Sequence, residues 1–327
     1  MSLVRLKPDP SYDEKKMAQH SNNWTRREWL QATGAGVTQA AIVAGARVGA
    51  AAPQSIGVQL YTVRDAIKAN PKATLEAIAR IGYKEIELGR AEISTLAPMA
   101  QSVGLTATST HIEAPLVTGN WEAWAQFAPA APGSERPTLA GALDVVRAHG
   151  IKYAVVSYLM PVERGTTAAA YEKFADQLNR AGETARAAGL TLAYHNHGFE
   201  FAPLADGQRP FDVLTARLDK SLVKLELDVF WVSITGTDPV DLVTRHKGAV
   251  ALIHLKDKAK TAAAETDEQK VPPASFTEVG HGSLDFPAIL RAAQAAGVAH
   301  YYVEQDHSPG DPVASLRQSY EYLRTLA

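Results

Sequence analysis

The stretch Leu190–Phe201 reads LTLAYHNHGFEF and decides how the rest of the chain is interpreted. It begins as an apolar run of β type and ends in side chains that bind metals and transfer protons. His195, Asn196, His197 and Glu200 follow at the point where an apolar strand leaves a core. This pattern is typical of an active site at the carboxyl end of a barrel strand. The two histidines could instead be structural residues on one strand face, but acidic residues at three later strand ends favour a functional site.

Short β-type runs alternate with helical stretches on both sides of this stretch, from Ser55 onward. Such alternation is the pattern of parallel strands joined by crossover helices. Eight pairs over this length predict an α/β protein with a single closed (β/α)8 barrel, the TIM-barrel fold, rather than an open doubly wound sheet. No glycine fingerprint of a dinucleotide site follows the first strand. Apart from the opening stretch, the predicted strands are 56–62, 84–88, 105–110, 153–158, 223–231, 250–255 and 301–304.

Length and composition fit one large enzyme-sized domain. The chain has 327 residues, and 53–327 is predicted to be the barrel, which typically needs ~250 residues. The formal net charge is −2 with no long basic run, which argues against nucleic-acid binding. The absence of cysteine excludes disulfides, thiolate catalysis and Cys-ligated metals. Any metal must therefore bind His, Asp and Glu, a donor set that suits Mn, Mg, Co or Zn.

Residues 1–52 are predicted to be a tail and an export signal. Thr25–Leu30 reads TRREWL, and adjacent arginines followed by an aromatic residue and a leucine are similar to the twin-arginine signal. Ala32–Ala52 is rich in Ala, Gly and Val and contains Arg47, so it fits a signal better than a membrane anchor. We therefore expect a periplasmic protein without a stable membrane anchor. The alternative is an amphipathic helix from Thr25 in a cytoplasmic protein.

Polar residues recur at the predicted carboxyl ends of the strands, which meet on one face of a barrel. An Asp or Glu between apolar residues, as in Leu227–Trp231, is costly to bury without a cation or partner. Any single one could be a structural ion pair, but their recurrence favours a metal site. The residues concerned are Glu87, His111, His195, His197, Glu200, Asp228, His254, Lys256, Asp257, Glu304 and Asp306.

From Ser55 onward the chain resembles the sugar phosphate isomerase/epimerase family, whose xylose-isomerase-like barrel also occurs in endonuclease IV. The resemblance rests on GVQLYTVRD (57–65), IELG (86–89), YHNHGFEF (194–201), ELDVFWV (226–232), LIHLKDK (252–258), VGHGSLDF (279–286) and VEQD (303–306). It implies one divalent ion, held by a Glu, an Asp, a His and a final Glu.

On this chain the resemblance assigns the last three ligands to Asp228, His254 and Glu304. Many members have Glu-Asn-His where this chain has His195-Asn196-His197. Either His195 or Glu200 therefore takes the first position, and we favour Glu200 because carboxylates suit Mn or Mg.

The resemblance implies a metal-dependent isomerase or epimerase that transfers a proton next to a carbonyl of a sugar or sugar-like polyol through an enediolate. Glu304, Glu200, His195 and His197 are the candidate acid–base residues, and Lys256 is the candidate for oxyanion stabilisation. Substrate contacts are predicted for Glu87, His111, Asn196 and Trp231. The alternatives are a lyase or hydrolase of keto-sugars or keto-glycosides, a non-catalytic sugar-binding barrel, and a DNA-repair nuclease, which the charge disfavours. Whether the protein forms a homo-oligomer is left open.

Overall fold

The computed structural model describes residues 55–127 and 135–326, so the predicted tail and export signal lie outside the described residues. Eight parallel strands follow one another in chain order around a closed barrel. This confirms the predicted (β/α)8 fold. The barrel strands are β1 (Gly57–Gln59), β2 (Glu85–Gly89), β3 (Thr106–Ile112), β4 (Tyr153–Val156), β5 (Thr191–His195), β6 (Val223–Asp228), β7 (Val250–Leu255) and β10 (His300–Val303). Two short antiparallel strands, β8 (Asp257–Lys258) and β9 (Phe276–Thr277), form a ribbon beside the barrel.

Helices connect the strands, and the helix Pro71–Ile81 shows how the sequence sets their ends. There the Asn70 side chain accepts a hydrogen bond from the Ala73 amide, Pro71 starts the helix, and Leu75 and Ile78 are buried. Within the described residues, no helix is long and apolar enough to cross a membrane. The helices are α1 (Arg64–Ala69), α2 (Pro71–Ile81), α3 (Ile93–Ser102), α4 (Pro115–Thr118), α5 (Leu139–Ala148), α6 (Ala168–Ala187), α7 (Pro210–Arg217), α8 (Val229–Ile234), α9 (Pro239–Arg245), α10 (Phe286–Ala296) and α11 (Pro312–Arg324).

A small apolar cluster lies apart from the main core between strands and helices. It comprises Val155, Ala193, Ala251, Leu252 and Tyr302. Ala193 shares its strand face with His195, because side chains alternate along β5. We therefore assign the cluster to the barrel interior, where it packs below the polar residues of the carboxyl end. A Cβ atom at Gly57 would come within 2.5 Å of the Tyr302 ring, so the glycine makes room for that ring.

The sixth strand ends earlier than predicted. We expected a strand through Trp231, but β6 ends at Asp228 and α8 begins at Val229. The Asp228 Oδ1 atom accepts hydrogen bonds from the amides of Phe230 (2.8 Å) and Trp231 (3.0 Å), so this carboxylate is the N-cap of α8. Asp is among the strongest N-caps, and here it outweighs the apolar pattern that predicted a longer strand.

The two long connections form the mouth of the barrel. In the connection after β3, Trp121 and Trp124 pack partly buried against the core, while 128–134 lie outside the described residues. The connection between β8 and β9 contains a short 3-10 turn, Glu268–Lys270. Tyr158 donates a hydrogen bond to Glu268 Oε1 at 2.9 Å, which connects this turn to the loop that follows β4.

Candidate active site and metal centre

The polar side chains of the site come from the carboxyl ends of six barrel strands and from the residues just after them. The β2–β3 pairing shifts register between Ile86 and Glu87, and the β6–β7 pairing shifts between Leu225 and Glu226. Such irregularities redirect the next side chain, and here each is followed by a fully buried glutamate. The strand register also pairs Asp228 with His254 and His195 with Glu226.

Three of the four predicted metal ligands lie together. Ligand atoms of Asp228, His254 and Glu304 are all within 4.8 Å of one another, and all three residues are buried. His254 Nδ1 lies 3.0 Å from Glu304 Oε2 and 3.9 Å from Asp228 Oδ2. Asp228 is held from two sides, because its Oδ1 atom caps α8 and its amide donates to Asn196 Oδ1 at 3.0 Å. Its Oδ2 atom is left facing the other two ligands.

The second ring nitrogen of His254 also has carboxylate partners. Its Nε2 atom lies 2.7 Å from Glu87 Oε1 and 3.4 Å from Glu226 Oε2. A histidine that binds a metal through one ring nitrogen normally donates a hydrogen bond from the other to a carboxylate. Two carboxylates and one imidazole with this support match the donors that divalent Mn, Co or Zn accept. The residues therefore fit a divalent ion on the Nδ1 side of His254.

Lys256 shares the oxygens of this group. Its Nζ atom lies 3.0 Å from Asp228 Oδ2, 2.8 Å from Glu304 Oε2 and 3.0 Å from Asp306 Oδ2. Burial lowers the pKa of Lys256, but these three carboxylates raise it well above the usual value, so the side chain is an ammonium. The ammonium and a divalent ion would therefore compete for the oxygens of Asp228 and Glu304.

A second cluster of potential ligands lies on the other side of His254 and comprises His111, His195, Glu226 and His254. Glu226 Oε2 is 3.0 Å from His111 Nε2 and 3.1 Å from His195 Nδ1, while its Oε1 atom is buried without a hydrogen-bond partner. Glu226 was not among the predicted site residues. Its signal was present in the alternation of β6, where Glu226 and Asp228 must share a face, but only Asp228 was predicted as a site residue.

The histidines of the site carry different charges. Burial lowers the pKa of His111, but Glu87 and Glu226 outweigh it and raise that pKa to about 10. Burial lowers the pKa of His195 and of His197 well below the usual value, and in His197 the charge of Lys256 adds to the effect. His197 is thus a neutral imidazole, and its buried Nδ1 atom has no hydrogen-bond partner among the described residues.

The carboxylates outnumber the cations in this part of the described structure. Burial raises the pKa of Glu304, but Lys256 and His254 hold it well below the usual value. Burial raises the pKa of Asp306 to about 6. Five carboxyl groups (Glu87, Glu226, Asp228, Glu304 and Asp306) lie against one lysine and two histidines whose pKa is raised. A surplus of buried carboxylates is costly unless a cation joins them, which agrees with a metal site.

A cavity of about 680 Å³ opens directly above these groups. Among the predicted residues, those that line it are His111, His195, His197, Trp231, Lys256, Glu304 and Asp306. Glu87 and Asn196 are buried behind the lining, where they hold His254 and Asp228, rather than in contact with the cavity. Their predicted role as substrate contacts is therefore replaced by a supporting one in this arrangement.

Glu200 is not brought to the metal ligands. Neither cluster of potential ligands in the described residues includes it. Its Oε1 atom accepts a hydrogen bond from Tyr194 Oη (2.6 Å), and its Oε2 atom accepts one from the His197 amide (2.9 Å). The physical reason is that β5 ends at His195 and Glu200 lies in the 3-10 turn Phe199–Phe201, where its carboxylate reaches Tyr194 on the face of β5 opposite to His195. Burial raises the pKa of Glu200 to about 7. The geometry thus disagrees with Glu200 as a ligand or base.

A family model for the xylose isomerase-like TIM barrel matches residues 75–326. Curated relatives include the inosose dehydratase of Geobacillus thermodenitrificans, which is 28% identical over 158 residues, 46% of this chain and 52% of that protein. The chain thus spans about half the length of the curated relatives it matches.

Solved structures with the same fold include a sugar phosphate isomerase/epimerase from Parabacteroides distasonis, with a TM-score of 0.66 and 22% identity, covering 88% of this chain and 97% of the other. Another is the IolI protein with a bound zinc atom, with a TM-score of 0.60 and 16% identity, covering 83% of this chain and 96% of the other. At these identities the structural likeness concerns the fold alone.

Proposed function

The chain belongs to the xylose isomerase-like TIM-barrel family, and we propose that it is a metal-dependent enzyme that removes a proton next to a carbonyl of a sugar-like polyol. The observation that carries this proposal is the convergence of Asp228, His254 and Glu304 beside Lys256, where Glu304 and Lys256 line one cavity. This arrangement joins a cation site, a fixed positive charge and proton acceptors within reach of one small molecule.

Asp228 Oδ2, His254 Nδ1 and Glu304 Oε2 would hold the ion. When bound, a divalent ion supplies Lewis-acid polarisation of the carbonyl and charge for the oxygen that becomes negative. Glu87 would hold the His254 ring through Nε2, and Asn196 would hold the Asp228 backbone. The Lys256 ammonium would donate a hydrogen bond to the developing oxyanion, a contribution that is typically worth roughly 10²–10³-fold in rate.

Two groups are placed to move the proton. Glu304 is ionised and lines the cavity, and His197, a neutral imidazole, lines the same cavity. The ring of His197 lies 5.6 Å from that of Trp231, so the imidazole is held between the site and an apolar wall. A carboxylate and a neutral imidazole around one ligand provide a base and, after proton uptake, an acid. His195, which bonds Glu226 through Nδ1, would orient the substrate rather than titrate.

Two outcomes share this first step. In an elimination, the carbon that loses the proton forms a double bond to the next carbon, whose hydroxyl leaves with a proton as water. The curated relatives named inosose dehydratases favour this outcome. In the isomerisation or epimerisation expected from the sequence, the proton returns to a neighbouring carbon or to the opposite face. The presence of two acid–base groups, Glu304 and His197, favours that second candidate.

The test is proton exchange in D2O with Mn-loaded protein and a panel of keto-sugars and inososes, followed by NMR. We expect deuterium at the carbon next to the carbonyl, and loss of exchange after chelation. An alkene or dehydrated product indicates elimination, whereas a deuterated stereoisomer or positional isomer indicates isomerisation. If ligands shift the melting temperature of the loaded protein but no proton exchanges on any substrate, the protein is a binding barrel and the proposal is wrong.

We also propose that residues 1–52 direct export, so that the barrel acts in the periplasm; the adjacent arginines Arg26 and Arg27 support this. N-terminal sequencing of the mature protein from a periplasmic fraction would test it. Replacing both arginines by lysine should leave the precursor inside the cell. An unprocessed N-terminus in the cytoplasm would contradict the proposal.

A further inference from the structure

The cavity is larger than a single sugar ring requires. A hexose has about a dozen heavy atoms, and even at the ~30 Å³ that a water molecule occupies in the liquid it would fill about 360 Å³. The cavity measures about 680 Å³. Roughly half of the space is therefore left when a monosaccharide occupies the floor, where His195, Lys256 and Glu304 lie.

Five aromatic side chains line this cavity and form what we call the aromatic collar, namely Tyr61, Trp124, Phe127, Trp231 and Phe276. Three large apolar side chains are exposed among the described residues, namely Tyr61, Phe127 and Val162, and the first two belong to the collar. Phe127 is 70% exposed. Exposed aromatic side chains that gather at one cavity mark a binding surface rather than ordinary surface composition.

The collar is continuous with the catalytic groups. The Trp231 ring lies 5.5 Å from Lys256 Nζ and 5.9 Å from the Phe276 ring, so one indole touches both the charged floor and the apolar wall. On the other side, Trp124 donates a hydrogen bond to Glu163 at 2.8 Å and holds its ring 6.5 Å from Phe127. A ligand bound at the floor would thus extend outward between aromatic rings.

From this continuity we infer that the collar is a subsite for an aromatic substituent, and that the substrate is a keto-glycoside with an aromatic aglycone rather than a free monosaccharide. The inference rests on the proposed function. A second sugar ring would instead use the polar side chains that line the same cavity, such as Arg64, Glu92 and Gln269, so it is the competing occupant that the test includes. An aromatic ring needs only the apolar surface and edge-to-face contacts that the collar provides.

The acid–base groups at the bottom of the cavity can perform an elimination on this substrate. If the ring carbonyl lies two carbons from the anomeric carbon, the acidic proton is on the carbon between them. Removal of that proton allows a double bond to form to the anomeric carbon while the bond from that carbon to the glycosidic oxygen breaks. The aglycone leaves as an alcohol with a proton returned by the acid–base groups. No oxidant or reductant is needed, and the leaving group lies on the side of the collar.

The test compares keto-glycosides that carry a benzyl, a methyl or a second glucosyl group on the same keto-sugar. Benzyl and methyl alkoxides are similar leaving groups, so a difference between them reports binding in the collar. Burial of a phenyl ring predicts a kcat/KM that is roughly 10- to 100-fold higher for the benzyl substrate. Binding of unoxidised benzyl and methyl glucosides, measured by calorimetry, should show the same order without any turnover.

Two collar variants, Phe127→Ala and Tyr61→Ala, should lower kcat/KM for the benzyl substrate more than for the methyl substrate and so reduce the benzyl preference. Val162→Ala is the matched control, because Val162 is 80% exposed but does not line this cavity. Equal rates and equal binding for benzyl and methyl compounds, or a preference for the glucosyl compound, would overturn the inference. If benzyl glucoside binds preferentially but no keto-glycoside is turned over, the subsite stands and the proposed function fails.

Discussion

Glu85 and Glu87 lie two residues apart on β2, and they show how the two ends of the barrel differ. At the amino end, Glu85 Oε2 accepts hydrogen bonds from His300 Nδ1 (2.7 Å) and Thr108 Oγ1 (3.3 Å). At the carboxyl end, Glu87 belongs to a group of five carboxyl groups that share one lysine and two protonated histidines. A carboxylate with its own partners is a structural element, whereas a surplus of carboxylates around a cavity needs a further cation.

Removing a ligand at the carboxyl end should have the largest effect. We expect Asp228→Ala and His254→Ala to lose bound metal and to reduce turnover roughly 10³-fold, because the ion is worth several kcal/mol to the transition state. Metal content after dialysis, measured by mass spectrometry, checks the first point, and turnover checks the second. Glu85→Gln is the control at the opposite end and should retain all of its metal. Full metal content in both ligand variants would contradict the ligand assignment.

Replacing Lys256 should impair catalysis without impairing metal binding. We expect Lys256→Met to lower kcat by roughly 10²–10³-fold because an oxyanion donor is lost, while metal binding is retained or tightened because a competitor for Asp228 and Glu304 is removed. The metal-free variant should melt lower than the parent protein and gain more from added Mn. Lys258→Met is a suitable control, since its Nζ atom donates to the Ser233 carbonyl instead. Parallel loss of metal and turnover would contradict this separation.

Replacing Glu200 should change stability in a pH-dependent way without changing metal binding. Its pKa is raised by burial to about 7, above the ordinary value of 4.5, so its stabilising contribution is complete below pH 4.5 and is lost as pH rises through 7. Glu200→Gln does not titrate, and the parent protein should lose about 3 kcal/mol relative to this variant between pH 4.5 and 8. Urea unfolding at several pH values measures the difference. The variant should keep its metal, and loss of metal would return Glu200 to the ligand set.

The fold and most of the site could be predicted from the sequence because their signals are local. Alternating β-type and helical runs specified the barrel, and single polar residues between apolar ones identified Asp228 and His254. Glu226 has the same signal, but its importance depends on His111 and His195 from other strands. The spacing of residues along the sequence does not show which side chains from different strands are neighbours in the fold.

The direction of Glu200 could not be predicted, for a different reason. After His195 the backbone leaves the strand, and residues Phe199–Phe201 form a 3-10 turn. Side-chain direction follows a period of two only while the strand lasts, so proximity in sequence to two histidines did not indicate a shared face. The same limit applies to β6. The apolar pattern predicted a strand as far as Trp231, but Asp228 caps α8 and the strand ends there.

The smallest effect is expected at the amino end, for Glu85→Gln. Burial raises the pKa of Glu85, but hydrogen bonding and the charge of His300 outweigh it and lower that pKa below its ordinary value. Its stabilising contribution is therefore present above the unfolded-state pKa and is lost as pH falls through the folded-state value. We expect Glu85→Gln to cost about 1 kcal/mol at pH 7, to match the parent protein in acid, and to leave kcat unchanged. A loss of turnover as large as that of Lys256→Met would mean that the amino end also takes part in the reaction.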